Sequence, residues 1–171
     1  MDIKLRLEQP EDYRKVEEVA REAFWNFYAP GCDEHYLLHI MRSSPNFVKG
    51  LDFVAVADRK IVGIVVFLKS FILTDDGCKY EVLSMGPIAV LPQYQRMGIG
   101  WMLIAHTRKI AAEMGYRAIL LCGEPRYYSK VGFEAVTEAS NNISAVKGVI
   151  NLKLIAFNPS VPISFQRAEC I

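Results

Sequence analysis

The sequence predicts an α/β fold, and three observations carry that expectation. Short stretches of apolar or alternating character, typical of strands, are interleaved with segments of helical period. Residues 88–100, Ile88-Ala89-Val90-Leu91-Pro92-Gln93-Tyr94-Gln95-Arg96-Met97-Gly98-Ile99-Gly100, run from an apolar strand into a glycine-bearing turn that opens a helix. The chain has 171 residues, 51% of them hydrophobic. That fits one domain over residues 1–171 and is enough to bury roughly two thirds of the unfolded surface.

Taken in order, the first element is a strand around Ile3, Leu5 and Leu7, whose alternation with Lys4 and Arg6 predicts one buried face. A helix begins near Pro10, with Glu11 and Asp12 suited to its first turn. Its expected core face is Tyr13, Val16, Val19, Ala20, Ala23, Phe24 and Phe27, and Ala29-Pro30-Gly31 ends it. Asp33 is placed to cap a short second helix through Met41, and residues 43–46 form a loop. Strands at 53–57 and 61–69 make a hairpin through Asp58-Arg59-Lys60, followed by a turn at 74–77. The long strand 79–90 contains Gly86-Pro87, which predicts a bulge or a splayed strand, because proline cannot donate to a ladder. A helix over 101–114 ends at Gly115, then come a strand at 118–122, a helical turn at 127–130, and strands near 133–136 and 149–157.

The turn between strand and helix carries the chemistry. Gly98 and Gly100 lack a Cβ, so the backbone can approach a ligand closely and adopt positive φ. The helix behind them contributes unpaired first-turn N–H groups and the positive end of its dipole, roughly half an elementary charge. A phosphate fits such a place without a metal. No Gly-Lys-Ser/Thr ending follows, which excludes a P-loop. Trp101, Met102 and Leu103 after the single Gly-x-Gly pair exclude the dinucleotide fingerprint.

Gln95-Arg96-Met97-Gly98-Ile99-Gly100 resembles motif A of the GNAT acetyltransferase superfamily, Gln/Arg-x-x-Gly-x-Gly/Ala, matching every specified position. About 30 residues on, Tyr127-Tyr128-Ser129-Lys130-Val131-Gly132-Phe133 resembles the family's aromatic-Tyr-x-Arg/Lys-x-Gly-Phe segment. The likeness extends in outline over residues 3–157, and the Gly86-Pro87-Ile88-Ala89-Val90 entry is most similar to bacterial predicted N-acetyltransferases of unassigned substrate. The resemblance implies the GNAT, or acyl-CoA N-acyltransferase, fold: a mixed central sheet, flanked by helices, that splays beside motif A. It implies acetyl-CoA as cosubstrate and an amine as acceptor. Gln95, Arg96, Met97, Gly98, Ile99 and Gly100 would hold the pyrophosphate. The backbones of Ile88, Ala89 and Val90 would pair with the pantetheine arm, with the Ile88 and Val90 side chains facing the core. Gly123-Glu124-Pro125-Arg126 departs from the family, where an asparagine often contacts the cofactor.

Composition narrows the partners. Twenty basic against 19 acidic side chains give a net charge of +1, which argues against a nucleic-acid footprint. The longest apolar run, residues 61–68, is far short of the roughly 20 residues that span a bilayer. The first residues, Met1-Asp2-Ile3-Lys4, read as neither signal nor transit peptide, so a cytoplasmic location is expected. Cys32, Cys78, Cys122 and Cys170 stand more than 40 residues apart, indicating neither a metal site nor a disulfide framework. Cys122 is expected to be a buried strand residue. A homodimer is left open.

Attack of an amine on a thioester sets the remaining requirements. An alkylammonium has a pKa of about 10.4, so a base must take a proton before attack. The oxyanion needs a donor, for which a backbone amide freed near Gly86-Pro87 is the candidate. The departing thiolate can accept a proton from Tyr128, which aligns with the family's tyrosine near the sulfur; Tyr127 is the alternative. Glu81 is the candidate base, with Glu124, His39 and His35 as competitors. His106, two turns into the motif A helix, reads as a packing residue. Phe24, Trp25, Phe27, Tyr28 and Tyr36 could line an acceptor pocket or the core. The acceptor itself, a small molecule or a protein N-terminus or lysine, is not specified by sequence. A non-catalytic CoA-binding sensor or interaction module and a transferase for another acyl-CoA are the competing readings.

Overall fold

A computed structural model of the chain describes residues 1–27, 30–73, 79–135 and 154–157. The turn expected at 74–77, Tyr28 and the segment 149–153 lie outside them. The chain divides into two compact units, Met1–Leu68 with Met85–Met114, and Lys69–Ser84 with Gly115–Ile171. Strands β3 (Lys60–Leu73) and β4 (Lys79–Val90) run through both.

In the first unit, β1 (Ile3–Leu7) and β2 (Phe53–Ala57) pair antiparallel, with Ile3 opposite Ala57 and Leu7 opposite Phe53. Burial of β1 is partial: Ile3 and Leu5 are half-buried, and Leu7 is exposed. The β2–β3 hairpin turns on Asp58 and Arg59, at φ 47° and 66°. Two successive left-handed residues are what a two-residue hairpin turn demands. A register shift at Ala55/Val56 marks a bulge in this pair.

Pro10 starts a 3-10 turn, Pro10–Asp12, that leads into α1 (Tyr13–Phe24). The Asp12 carboxylate accepts from Gln9 N–H at 2.9 Å and from Arg6 Nη2 at 2.9 Å, tying the turn to β1. Val16, Val19 and Ala20 of α1 pack with Leu38 and Met41 of α2 (Glu34–Arg42) on Val54, Ile64, Val66 and Ala89. Helix α1 ends at Phe24, earlier than its apolar pattern suggests, and Phe27 is 68% exposed rather than in the core. The cause is local: Asn26 is left-handed at φ 55°, and it closes a loop in which its N–H donates to Gly31 O and its Oδ1 accepts from Gly31 N–H, both at 2.9 Å. Asp33 does occupy the N-cap of α2, but its carbonyl, not its side chain, starts the helix by accepting from Leu37 N–H.

Helix α3 (Ile99–Glu113) packs against β3 at Gly63. A Cβ there would lie 3.2 Å from Ala89 O, 3.3 Å from Ile99 Cγ2 and 3.3 Å from Leu103 Cδ1, so a strand glycine sets how closely the helix sits. Gly115, at φ 90°, follows the helix end as expected. Gly86 faces the opposite layer, where a Cβ would overlap Met41 Cε and come within 2.8 Å of Val66 Cγ2. Ala89 is buried in that same layer. Along β4 burial alternates without a break from Leu83 to Val90, with Met85, Pro87 and Ala89 covered and Gly86, Ile88 and Val90 half-buried.

In the second unit, β4 pairs parallel with β5 (Ile119–Cys122) through Leu83 opposite Ile119 and Ser84 opposite Leu120. β5 pairs antiparallel with β7 (Leu154–Phe157), which pairs antiparallel with β6 (Glu134–Ala135). The strand order is β1-β2-β3-β4 in the first unit and β3-β4-β5-β7-β6 in the second, a mixed sheet as expected. Ile72, Val82 and Leu120 form a small core with Tyr80 and Ala118. Cys122, expected to be buried, is exposed: Ile119, Leu120 and Leu121 are covered, and burial stops at the strand's last residue.

Candidate functional site

The chain leaves β4 at Val90 and reaches α3 through a loop braced at three points. Leu91 N–H donates to Val62 O of β3 at 2.9 Å. Residues Pro92–Tyr94 form a 3-10 turn. The Gln95 side chain turns back, its Nε2 donating to Val90 O at 3.0 Å. Gln95 therefore spends this donor on the loop, a role its place in the motif did not reveal.

The next residues are conformationally unusual. Arg96 has φ 61° and Gly98 has φ 82°, so two left-handed residues two apart bend the backbone into the helix. For arginine this conformation costs about 1 kcal/mol or more, and strain of this kind collects at functional turns. A Cβ on Gly98 would meet nothing within 4 Å, so glycine is required there by conformation and approach, not by packing. Gly100 is buried in the first turn of α3. The first helical hydrogen bond runs from Met102 N–H to Gly98 O at 2.9 Å. The amides of Ile99, Gly100 and Trp101 consequently have no intrahelical acceptor and point out of the helix start. With the helix dipole behind them they form an anion cradle, edged by exposed Arg96, Met97 and Trp101.

On the strand leading in, Ala89 is the buried residue, while Ile88 and Val90 are half-buried. This reverses the expectation that the Ile88 and Val90 side chains face the core. His106 packs edge-on against the Phe53 ring at 4.7 Å, as its packing assignment requires.

Glu81 and Tyr128 belong to the second unit. Glu81 is exposed on β4, its Oε1 3.9 Å from Lys69 Nζ, a solvated pair worth little to stability. Tyr128 is the last residue of α4 (Pro125–Tyr128). Its ring meets Tyr127 edge-on at 5.0 Å and Phe133 edge-on at 5.9 Å. Burial pushes the Tyr127 phenol up from its ordinary range, keeping it protonated at neutral pH. Gly132, at φ 83°, lets the chain turn so that Phe133 N–H reaches Tyr128 O at 3.0 Å. Glu124 is engaged as the N-cap of α4, its Oε1 accepting from Arg126 N–H at 3.3 Å.

The two histidine competitors are also partnered. His39 Nδ1 is 3.3 Å from Glu17 Oε1, and His35 Nδ1 is 3.3 Å from Cys32 Sγ. Of the aromatic residues considered for an acceptor pocket, Phe24 joins the core, whereas Trp25, Phe27 and Tyr36 are exposed; Tyr28 lies outside the described residues. Among the described residues no group of three or more His, Cys, Asp or Glu side chains could hold a metal, and no helix is long and apolar enough to cross a membrane.

A glycine-led anion cradle at the start of a helix, entered from a strand of a mixed sheet, defines a class of α/β proteins with an anion-binding turn. The family model of the Acetyltransferase (GNAT) family matches residues 13–133, and the chain belongs to that family. The chain is 28% identical over 131 residues to an uncharacterized N-acetyltransferase, YhbS, of Escherichia coli K12, covering 76% of this chain and 72% of the relative. Among the solved structures that share the fold, two examples are described with a coenzyme. One is a GNAT family acetyltransferase of Brucella melitensis in complex with acetyl-CoA, with TM-score 0.72 and 24% identity over 94% of this chain and 92% of the other. The second is Escherichia coli YhbS in complex with CoA, with TM-score 0.69 and 22% identity over 90% and 79%.

Proposed function

We propose that this chain is an N-acetyltransferase that moves the acetyl group of acetyl-CoA to a primary amine by direct attack in a ternary complex. The observation that carries the reading is the cradle: Arg96 and Gly98 left-handed, and the Ile99, Gly100 and Trp101 amides without intrahelical acceptors. These donors suit a pyrophosphate, and the two relatives of the same fold that are described with acetyl-CoA and with CoA support the assignment. Residues 1–171 are read as one acetyltransferase domain, acting in the cytoplasm without metal, nucleic acid or membrane. A homodimer is compatible with this reading.

In the proposed reaction the backbones of Ile88, Ala89 and Val90 pair with the pantetheine arm, and Gln95 keeps the loop below it in shape. Glu81, through water, takes one proton from the acceptor ammonium. The amine nitrogen then bonds to the thioester carbon, and the carbonyl oxygen takes up charge that a backbone amide near Gly86-Pro87 can stabilise. As the carbon–sulfur bond breaks, Tyr128 donates its phenolic proton to the leaving thiolate. The second proton lost by the nitrogen returns to the phenolate through solvent, so Tyr128 ends as it began. A tyrosine phenol carries a proton it is able to donate.

The test is CoA release against a panel of small amines, amino acids and peptides with free N-termini or lysines, run with acetyl-, propionyl- and succinyl-CoA. Amine-dependent release with acetyl-CoA is expected. Binding of CoA with no release for any amine would replace the reading with a non-catalytic CoA-binding module, and a preference for another thioester would replace the donor. Glu81→Gln should lose turnover at neutral pH and recover as pH rises and free amine becomes abundant. A defect independent of pH would remove Glu81 from the role of base.

A further inference from the structure

Gly123 stands between the end of β5 and the cap of α4, and its glycine is not explained by backbone conformation. Positive φ is confined, among the described glycines, to Gly31, Gly98, Gly115 and Gly132. What requires glycine at 123 is a neighbour. A Cβ built there would overlap Tyr128 Cε2, which real Cβ atoms essentially never do, and would lie 3.0 Å from Cδ2 and 3.1 Å from Cζ of the same ring. The ring thus rests on the bare Cα of Gly123. Tyr127 and Phe133 also meet the ring, both edge-on. The Glu124 cap, accepting from Arg126 N–H, fixes the turn that brings residue 128 back over residue 123.

We propose that Gly123 is a positioning residue for Tyr128: by lacking a side chain it creates the seat that holds the phenol ring in its working orientation. The proposal rests on the reading of Tyr128 as the proton donor to the thiolate, and it goes beyond that reading by naming what places the donor. Any side chain at 123 would displace the ring across a short, rigid turn. Misplacing a reacting group by about 1 Å can cost about 10²-fold in rate.

The experiment is a pair of mutant cycles on the full chain. With the best amine from the panel, Gly123→Ala is expected to lower kcat by about 10²-fold, comparable to Tyr128→Phe and at the low end of what a general acid contributes. KM for acetyl-CoA should stay within a few-fold, because the cradle is built from other residues. The Gly123→Ala/Tyr128→Phe double variant should be no slower than the worse single variant. The second cycle needs no activity. Gly123→Ala should lower the melting temperature by several degrees in the presence of the ring, and should cost nothing in a Tyr128→Ala background, where the seat is vacant.

Wild-type kcat in Gly123→Ala, multiplicative rate losses, or the same melting decrement with and without the ring would each overturn the proposal. Wild-type turnover in Tyr128→Phe would instead remove the proton-donor role. The seat would then stand only if Gly123→Ala still lowered kcat at constant KM and the melting cycle still showed coupling to the ring.

Discussion

Two polar regions of the first unit handle their hydrogen-bonding groups in opposite ways. Around Arg42, on the last turn of α2, charges are closed upon one another. The Arg42 side chain is 6% exposed, and its guanidinium donates from Nε and Nη2 to Glu8 at 3.0 and 2.6 Å and from Nη1 to Glu17 at 2.7 Å, and lies 4.3 Å over the Tyr13 ring. The Glu8 side chain is 0% exposed. At the start of α3 the donors are left open: a strained arginine, a left-handed glycine and three amides with no intrahelical acceptor face outward. A buried ion network satisfied from within holds elements in register and has nothing left for a ligand. A turn that holds strain and keeps donors free is built to receive one.

The largest effect expected from breaking this contrast lies in the closed region. Arg42→Ala leaves Glu8 buried without its cation, which should destabilise the fold by about 3–5 kcal/mol. Denaturant titration measures it, and a loss under 1 kcal/mol would mean that the network is incidental. Next is the open region, where Gly98→Asp places a carboxylate in the cradle. Aspartate tolerates left-handed backbone better than most residues, and a Cβ at 98 has free space, so the fold should survive. Acetyl-CoA binding should nevertheless be lost by calorimetry, while Gly98→Asn, with the same shape and no charge, should bind more weakly than wild type but measurably. Undiminished affinity in folded Gly98→Asp would remove the basis of the cofactor assignment.

A smaller and pH-dependent effect comes from one flaw in the closed region. Asp52 Oδ1 has no hydrogen-bond partner among the described residues. Burial first, then the neighbouring Glu8 carboxylate, push the Asp52 carboxyl up to about 9, against the opposing pull of Arg42. The folded chain therefore keeps a proton that the unfolded chain releases near pH 4, and stability falls as pH rises from about 4 to about 9. Asp52→Asn removes the titration, so unfolding free energy should change less over that window and exceed wild type at its alkaline end. An unchanged pH profile would show that another group governs it.

The smallest effect sharpens the contrast within the loop itself. Gln95→Ala deletes the brace to Val90 O, a neutral hydrogen bond worth about 0.5–1.5 kcal/mol. Acetyl-CoA affinity should fall only a few-fold, through a looser loop. A loss of 10²-fold would mean that the amide contacts the ligand directly and does not merely brace the loop.

Much of the site was legible because its signals are local. Glycine at 98 and 100 after an apolar strand announces the cradle, and the structure adds that only Gly98 is left-handed. Asp58-Arg59 announces a tight hairpin. Gly63 lies inside a strand, and nothing near it in the sequence says that Ile99 and Leu103 approach it closely. The ion network was illegible for the same reason, since Glu8 and Arg42 are 34 residues apart and neither has a spacing to mark it.

By itself, then, the sequence determined what period and turn chemistry control: where strands and helices form, where α3 begins, and which residues offer donors to an anion. Tertiary structure decided which faces are covered and which distant groups meet. It buried Ala89 rather than Ile88 and Val90, left Cys122 and Phe27 exposed, closed Arg42 on Glu8 and Glu17, and set the Tyr128 ring on Gly123. The physical reason is that a backbone preference is settled within a few residues. Burial and charge pairing depend on surfaces that exist only once remote segments have packed.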